Sequence, residues 1–158
     1  MVDNSDGTLT IVSTSGNPPY QYVIEYRCKG IERLEGNDPV FRNNHQVEIT
    51  LGNNYPKEQP TAKFLTPIFH PNVYRSMKIC QGQYWVIGEP LFEVVMRIGK
   101  VIQYEDDIIN LQSPANNEAK KWAEKNMWRF PVDNQTFKSQ ISWDEQPVQP
   151  VNIYFQDI

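Results

Sequence analysis

The side chains in this chain best suited to covalent chemistry are its two thiols, Cys28 and Cys80. A thiolate is a strong nucleophile, and a nearby cation or hydrogen-bond donor favours it over the inert thiol. Two cysteines cannot build the disulfide framework of a small secreted domain, and their spacing is not that of a zinc site. Free thiols in a reducing compartment are the economical reading. Cys28 ends an alternating apolar run, on the same side as Ile24 and Tyr26, which marks it as a small buried hydrophobe. Cys80 lies instead in an irregular stretch, residues 67 to 90. There it follows His70-Pro71-Asn72 and sits two positions after Lys78, whose charge would favour a thiolate. Nothing in the sequence pairs His70 with Cys80 as a general base, and His70 reads as a structural turn residue. A generic thiol redox role ranks last, because no resolving cysteine lies near Cys80.

The elements that must position these residues fall into two halves. Tyr20 to Cys28 alternates with a period of two, placing Tyr20, Tyr22, Ile24, Tyr26 and Cys28 on one face of a half-buried strand. Thr8 to Val12 reads as a short strand. Val40 to Leu51 repeats the alternation with Val47, Ile49 and Leu51 inward, and Thr61 to Thr66 reads as a further strand. Strands separated by turns such as Ser15-Gly16-Asn17-Pro18-Pro19 predict an antiparallel meander. From Leu91 the apolar residues fall at 91, 94, 95, 98, 101 and 102, the spacing of an amphipathic helix with Pro90 in its first turn. A second helix is expected directly after Ser113-Pro114, with Ser113 as its cap and Ala115, Ala119, Trp122 and Ala123 as its apolar side. Strands first and helices after predict an α+β domain over residues 1–126. Residues 127–158 are expected to form an extension that packs on the core or is partly irregular.

The stretch around Cys80 resembles the catalytic core of ubiquitin-conjugating enzymes. His70-Pro71-Asn72 matches their His-Pro-Asn tripeptide, and Cys80 follows Asn72 by eight residues, as the active cysteine does in that family. Tyr55-Pro56, Pro60, Phe64 and Thr66 resemble the lead into the tripeptide. Trp85 resembles the tryptophan that follows the cysteine and is otherwise read as a core or loop anchor. The ordered set covers residues 20 to 126. The short cysteine-to-tryptophan loop and Val101-Ile102-Gln103-Tyr104 look more like bacterial members.

The resemblance implies a function. Cys80 would carry a ubiquitin-like modifier as a thioester, received from an activating enzyme and passed to a lysine amine of a protein substrate. It implies that Asn72 stabilises the oxyanion, that His70 and Pro71 shape the turn holding it, and that Ser113 lies where the incoming lysine is oriented. It implies no metal or small-molecule cofactor, because ATP is consumed upstream. The sequence departs from the family in three places. It reaches strand-like residues almost at once after Met1-Val2-Asp3-Asn4, so the family's first helix is not evident. Lys57 and Trp85-Val86-Ile87-Gly88 replace residues presented to RING-type ligases, so no RING partner carries over. Ala115 replaces the usual leucine. The alternative is a non-catalytic module that binds a ubiquitin-like protein or another partner with the same fold.

Charge narrows the classes. The chain has 15 basic and 19 acidic side chains, a net charge of −4, and no basic run, so a nucleic-acid partner has no support. Leu91 to Tyr104 is interrupted by Glu93, Arg97 and Lys100 and is too short to span a bilayer. No secretory signal is visible, and a cytoplasmic protein is the expectation.

Overall fold

The computed structural model describes residues 8–82, 84–132 and 138–139. The expectations about a first helix and about most of the extension after residue 126 concern residues outside this set.

The strands are β1 (Thr8–Ser15), β2 (Gln21–Arg27), β3 (Gly30–Glu35), β4 (Asp38–Arg42), β5 (His45–Thr50), β6 (Thr61–Phe64) and β7 (Lys138–Ser139). The helices are α1 (Leu91–Ile102) and α2 (Asn117–Lys125), followed by a 3-10 turn at Met127–Arg129. The main sheet runs β6-β5-β2-β1-β7, and the first four strands in that order pair antiparallel. The short β7 pairs parallel with β1. The architecture is α+β, an antiparallel sheet covered by helices.

The simple meander is corrected at one point. The expected strand from Val40 to Leu51 breaks at Asn43-Asn44, and its first part folds back on a strand not anticipated, β3. Glu35 opposite Asp38 leaves Gly36-Asn37 as a two-residue turn, with Gly36 at φ +63°, a conformation in which glycine carries no Cβ penalty. The β3–β4 hairpin is thus a separate two-stranded sheet inserted between β2 and β5.

Alternation does place the core residues of the central strands. Tyr22, Ile24 and Tyr26 on β2 and Val47 and Ile49 on β5 are buried in one apolar cluster, whereas Tyr20, read as inward, is exposed. Against them lie Leu91, Val94, Val95, Ile98, Val101 and Ile102, the stripe that the spacing of α1 predicts. The Tyr26 hydroxyl donates to the Val95 carbonyl at 2.9 Å, so the sheet and α1 share a buried polar contact as well as apolar area. A second cluster joins Ile31, Tyr104, Trp122 and Ala123, with Phe69 and Phe130 packed on it. It fixes α2 and the chain leading into His70. Cys28 is buried in the main core, as its strand position predicts, and neither cysteine forms a disulfide.

Candidate active site

The irregular stretch after β6 is built around a small hairpin. Val73 and Ile79 form an antiparallel bridge with side chains 1% and 4% exposed, so they anchor it in the core. The Cys80 amide donates to the Asn72 carbonyl at 2.8 Å, and the Tyr74 amide to the Lys78 carbonyl at 2.9 Å. Residues 72 and 80, and 74 and 78, therefore face each other. Because side chains alternate across a pleated pair, Asn72, Tyr74, Lys78 and Cys80 share the face opposite Val73 and Ile79. The hairpin is tied to β6 by Phe64 N–H donating to Met77 at 2.9 Å and Ile79 N–H donating to Ala62 at 2.9 Å. Its tight turn ends at Met77, whose φ of +71° is unusual for a side chain of that size.

His70 and Asn72 organise the entry to this hairpin. The Asn72 amide donates to His70 Nδ1 at 2.9 Å. His70 is fully buried with its ring edge-on to Tyr104 at 4.3 Å between centroids, and burial pushes its pKa down to about 3. It is a neutral acceptor that holds a turn, and its other ring nitrogen, Nε2, is buried without a partner. The side chain of Asn72 reaches across to the segment after α1. Its Nδ2 donates to the Ile108 carbonyl at 2.7 Å, and its Oδ1 accepts from the Asn110 amide at 2.9 Å. Asn110 Oδ1 then accepts from the Gln112 and Ser113 amides at 3.2 and 2.9 Å. The Pro71 carbonyl accepts from the Ala115 and Asn116 amides at 2.8 and 3.1 Å. Through this relay Ser113 is brought to the same open hollow as Cys80.

That hollow is lined by Asn72, Cys80, Gly82, Tyr84, Asn110 and Ser113. Three of the residues singled out from sequence thus meet there. Cys80 is half-buried and Ser113 exposed. His70 and Pro71 stand behind Asn72, and Trp85 lies outside the hollow, partly packed on the core with its ring 6.1 Å from that of Tyr55. Ser113 does not cap α2. The cap is Asn116, whose Oδ1 accepts from the Ala119 amide at 3.0 Å, because residues 110–115 are pulled onto Pro71 and Asn72 and cannot yet be helical. Lys78, two positions before Cys80 on an extended strand, shares its side of the hairpin and is exposed.

The wall after Cys80 is held differently. Arg97 on α1 pairs with both carboxylate oxygens of Glu89, one at 2.7 Å, and donates to the Tyr84 carbonyl at 3.2 Å. The two charged side chains are only 13% and 11% exposed. Gln81 donates to the Pro60 carbonyl at 2.9 Å, and the Tyr55 hydroxyl to the Glu89 carbonyl at 2.7 Å. These bonds together hold the loop, with Arg97 supplying its one charged clamp from α1, while Val86 and Ile87 at its tip are exposed. The sequence reading overlooked Tyr74, Gly82, Tyr84, Asn110 and the Arg97–Glu89 pair. Asn110 carried a signal, an Asn three residues before a Ser-Pro, which suits an Asx turn.

Among the described residues no group of three His, Cys, Asp or Glu side chains is placed to hold a metal ion. Among them also no helix is long and apolar enough to cross a membrane.

Comparison with known proteins accords with this geometry. The family model for ubiquitin-conjugating enzyme matches residues 33–137. Ubiquitin-conjugating enzyme E2 2 of Mycosarcoma maydis is 30% identical over 112 residues, which cover 71% of this chain and 60% of that protein. Its namesake in Yarrowia lipolytica is 37% identical over 82 residues, covering 52% of this chain and 51% of that one. A solved ubiquitin-conjugating enzyme structure from Trypanosoma cruzi superimposes with a TM-score of 0.54 at 21% identity, covering 75% of each chain, a likeness of fold alone. These relatives are eukaryotic, so they lend no support to the bacterial affinity suggested by the short loop. This chain spans about 60% of the Mycosarcoma protein and about half of the Yarrowia one. With two thirds of its length matched by the family model, the chain belongs to the ubiquitin-conjugating enzyme family.

Proposed function

We propose that this protein carries a ubiquitin-like modifier as a thioester on Cys80 and transfers it to an amine. The observation that carries the reading is the meeting of a half-buried thiol with Asn72 and Ser113 in one open hollow. In the first step the Cys80 thiolate attacks the modifier's C-terminal carbonyl, held as a thioester on an activating enzyme. A new C–S bond forms and the activating enzyme's thiolate leaves. In the second step the amine of a substrate lysine attacks the same carbonyl, the C–S bond to Cys80 breaks, and the amine's proton passes to solvent.

Negative charge gathers on the carbonyl oxygen in both steps. One Nδ2 proton of Asn72 is committed to Ile108. The amide has a second, which serves the oxyanion. The same bonds that make Asn72 a latch keep that donor still, so the two roles reinforce each other. Ser113, on the far side of the hollow, is the substrate-side group. His70 takes no part as a base, since its Nδ1 is occupied and burial keeps it neutral. The reading includes no RING-type partner.

Incubation with ATP, a cognate activating enzyme and its modifier tests the proposal. A reductant-sensitive adduct that disappears in Cys80→Ala is the expected result. No adduct from the wild type, with modifier binding intact in Cys80→Ala, would instead favour a non-catalytic binding module.

A further inference from the structure

We propose that Gln81 is a positioning residue for Cys80, its side-chain amide completing the ladder that holds the nucleophile's strand. The inference deepens the reading of Cys80 as the acylated thiol and rests on it. Residues 77 to 80 run antiparallel to β6. Lys63 lies opposite Lys78, the Phe64 amide donates to the Met77 carbonyl, and the Ile79 amide to the Ala62 carbonyl, both at 2.9 Å. Hydrogen-bonded rungs in an antiparallel pair recur at every second residue, so the next one joins residue 81 to residue 60. There the Pro60 carbonyl accepts from Gln81 Nε2 at 2.9 Å, so a side chain supplies the last rung. The main chain is thereby released to turn directly after Cys80. It does so at once, the Gln81 carbonyl accepting from the Tyr84 and Trp85 amides at 3.0 and 3.1 Å.

Cys80 is thus the last residue of the ladder, held on one side by its own amide on the Asn72 carbonyl and on the other by Gln81. Gln81 is only 6% exposed, on the inward side with Ile79, and Arg97 adds a longer contact to its Oε1 at 3.5 Å. Burying an amide is unfavourable unless its bonds are made, and an apolar side chain here would leave the Pro60 carbonyl unpaired. What the rung protects is geometry. In both steps of the proposed transfer the carbonyl joined to sulfur must meet the Asn72 amide, and a strand frayed at its last residue carries its sulfur away. Gln81 therefore acts through Cys80 and not on the acyl group.

The test needs neither activating enzyme nor modifier. Cys80 is acetylated by exchange with the acetyl thioester of mercaptoethanesulfonate: its thiolate attacks the carbonyl, a C–S bond forms, and the mercaptoethanesulfonate thiolate leaves. Discharge to free lysine then breaks that bond and forms an amide, the amine's proton passing to solvent. Both stages are followed at residue 80 by peptide mass. Wild type is compared with Gln81→Met, close in shape but without the amide, and with Gln81→Glu, which keeps an acceptor for Arg97 but offers Pro60 no donor. In each variant discharge should slow about tenfold. Alkylation of unloaded Cys80 by iodoacetamide, which asks only for an accessible sulfur, should stay within about twofold of wild type. Discharge at the wild-type rate in either folded variant, or discharge and alkylation falling by the same factor, would overturn the proposal. A protein that passes this comparison but takes no modifier from an activating enzyme would sink the conjugation reading and leave the role of Gln81 standing.

Discussion

The two walls flanking Cys80 are held by different physics. The wall before it, residues 70–80, is secured by many neutral contacts: a paired hairpin, two core side chains, and an asparagine whose amide is bonded at both ends. The wall after it, residues 81–90, combines a charged clamp, Arg97 reaching from α1 to Glu89 and the Tyr84 carbonyl, with scattered ties of Gln81 to Pro60, Gly88 to Pro56 and the Tyr55 hydroxyl to Glu89. Distributed hydrogen bonds and burial fix position with little tolerance, which under the proposed function suits residues that meet a developing charge. A loop tied at scattered points around one ion pair carries fewer constraints per residue, which under the proposed function suits a rim that macromolecular partners pass.

Asn72→Ala should break the first wall. It leaves the Ile108 carbonyl and the Asn110 amide without their partner in a buried site, a loss of about 3 kcal/mol in chemical denaturation. The Asn110 amide should then exchange with solvent faster, with Tyr84 and Gly88 unchanged. If instead both walls loosen together, they are not separate units.

Arg97→Ala should open the second wall at a cost of about 2 kcal/mol, below the range for a fully buried pair because both groups keep some contact with water. The Tyr84, Trp85 and Gly88 amides, bonded within or beneath this loop, should lose protection while Ile79 and Cys80 keep theirs. The double variant Arg97→Met with Glu89→Leu should cost less than Arg97→Ala alone, since no charge is then stranded. A double variant worse than the single would show that the clamp's energy lies elsewhere.

Acid should act through two buried histidines, His70 in the first wall and His45 at the start of β5. His70 and His45 are buried neutral, with burial lowering their pKa values to about 3 and about 4. In the unfolded chain both bind protons near the ordinary histidine value of about 6.5, while the folded protein does not. Stability is therefore complete above about 6.5, falls as the pH drops below it, and stops falling through these groups near 4 for His45 and near 3 for His70. At pH 5.5 each should contribute a loss of about 1 kcal/mol relative to pH 7.5, read from denaturation midpoints. A flat profile over that interval would contradict the burial of both rings.

The smallest effects separate two polar residues in the segment that leads into α2, Ser113 and Asn116. Asn116→Ala should cost about 1 kcal/mol as a lost helix cap, and Ser113→Ala less than about 0.5 kcal/mol. The reverse order in thermal melts would restore Ser113 as the cap.

What the sequence made readable follows from periodicity. The α1 stripe from Leu91 to Ile102 and the inward residues of β2 and β5 are set by regular repeats of a single element, and burial follows them. The β3–β4 hairpin was signalled only by Gly36-Asn37 between weakly alternating segments, and it was missed. The helix cap was misplaced by three residues because Ser-Pro and Asn are both good starts. Tertiary hydrogen bonds to Pro71 and Asn72 decide between them. In the site, the His70 to Cys80 run was visible as a motif, but its partners were not. Asn110, Arg97 and Tyr74 come near Cys80 only after the helix docks and the hairpin closes, and no local spacing encodes those events.

The central claim is that the acyl group sits on the Cys80 side chain. Replacing sulfur by oxygen tests it most directly. Cys80→Ser, incubated with ATP, the activating enzyme and the modifier, should accumulate a slow adduct that resists reductant, is cleaved by alkali, and maps to residue 80 by mass spectrometry. An adduct that remains reductant-labile in Cys80→Ser, or that maps to Cys28 or a lysine, would contradict the account.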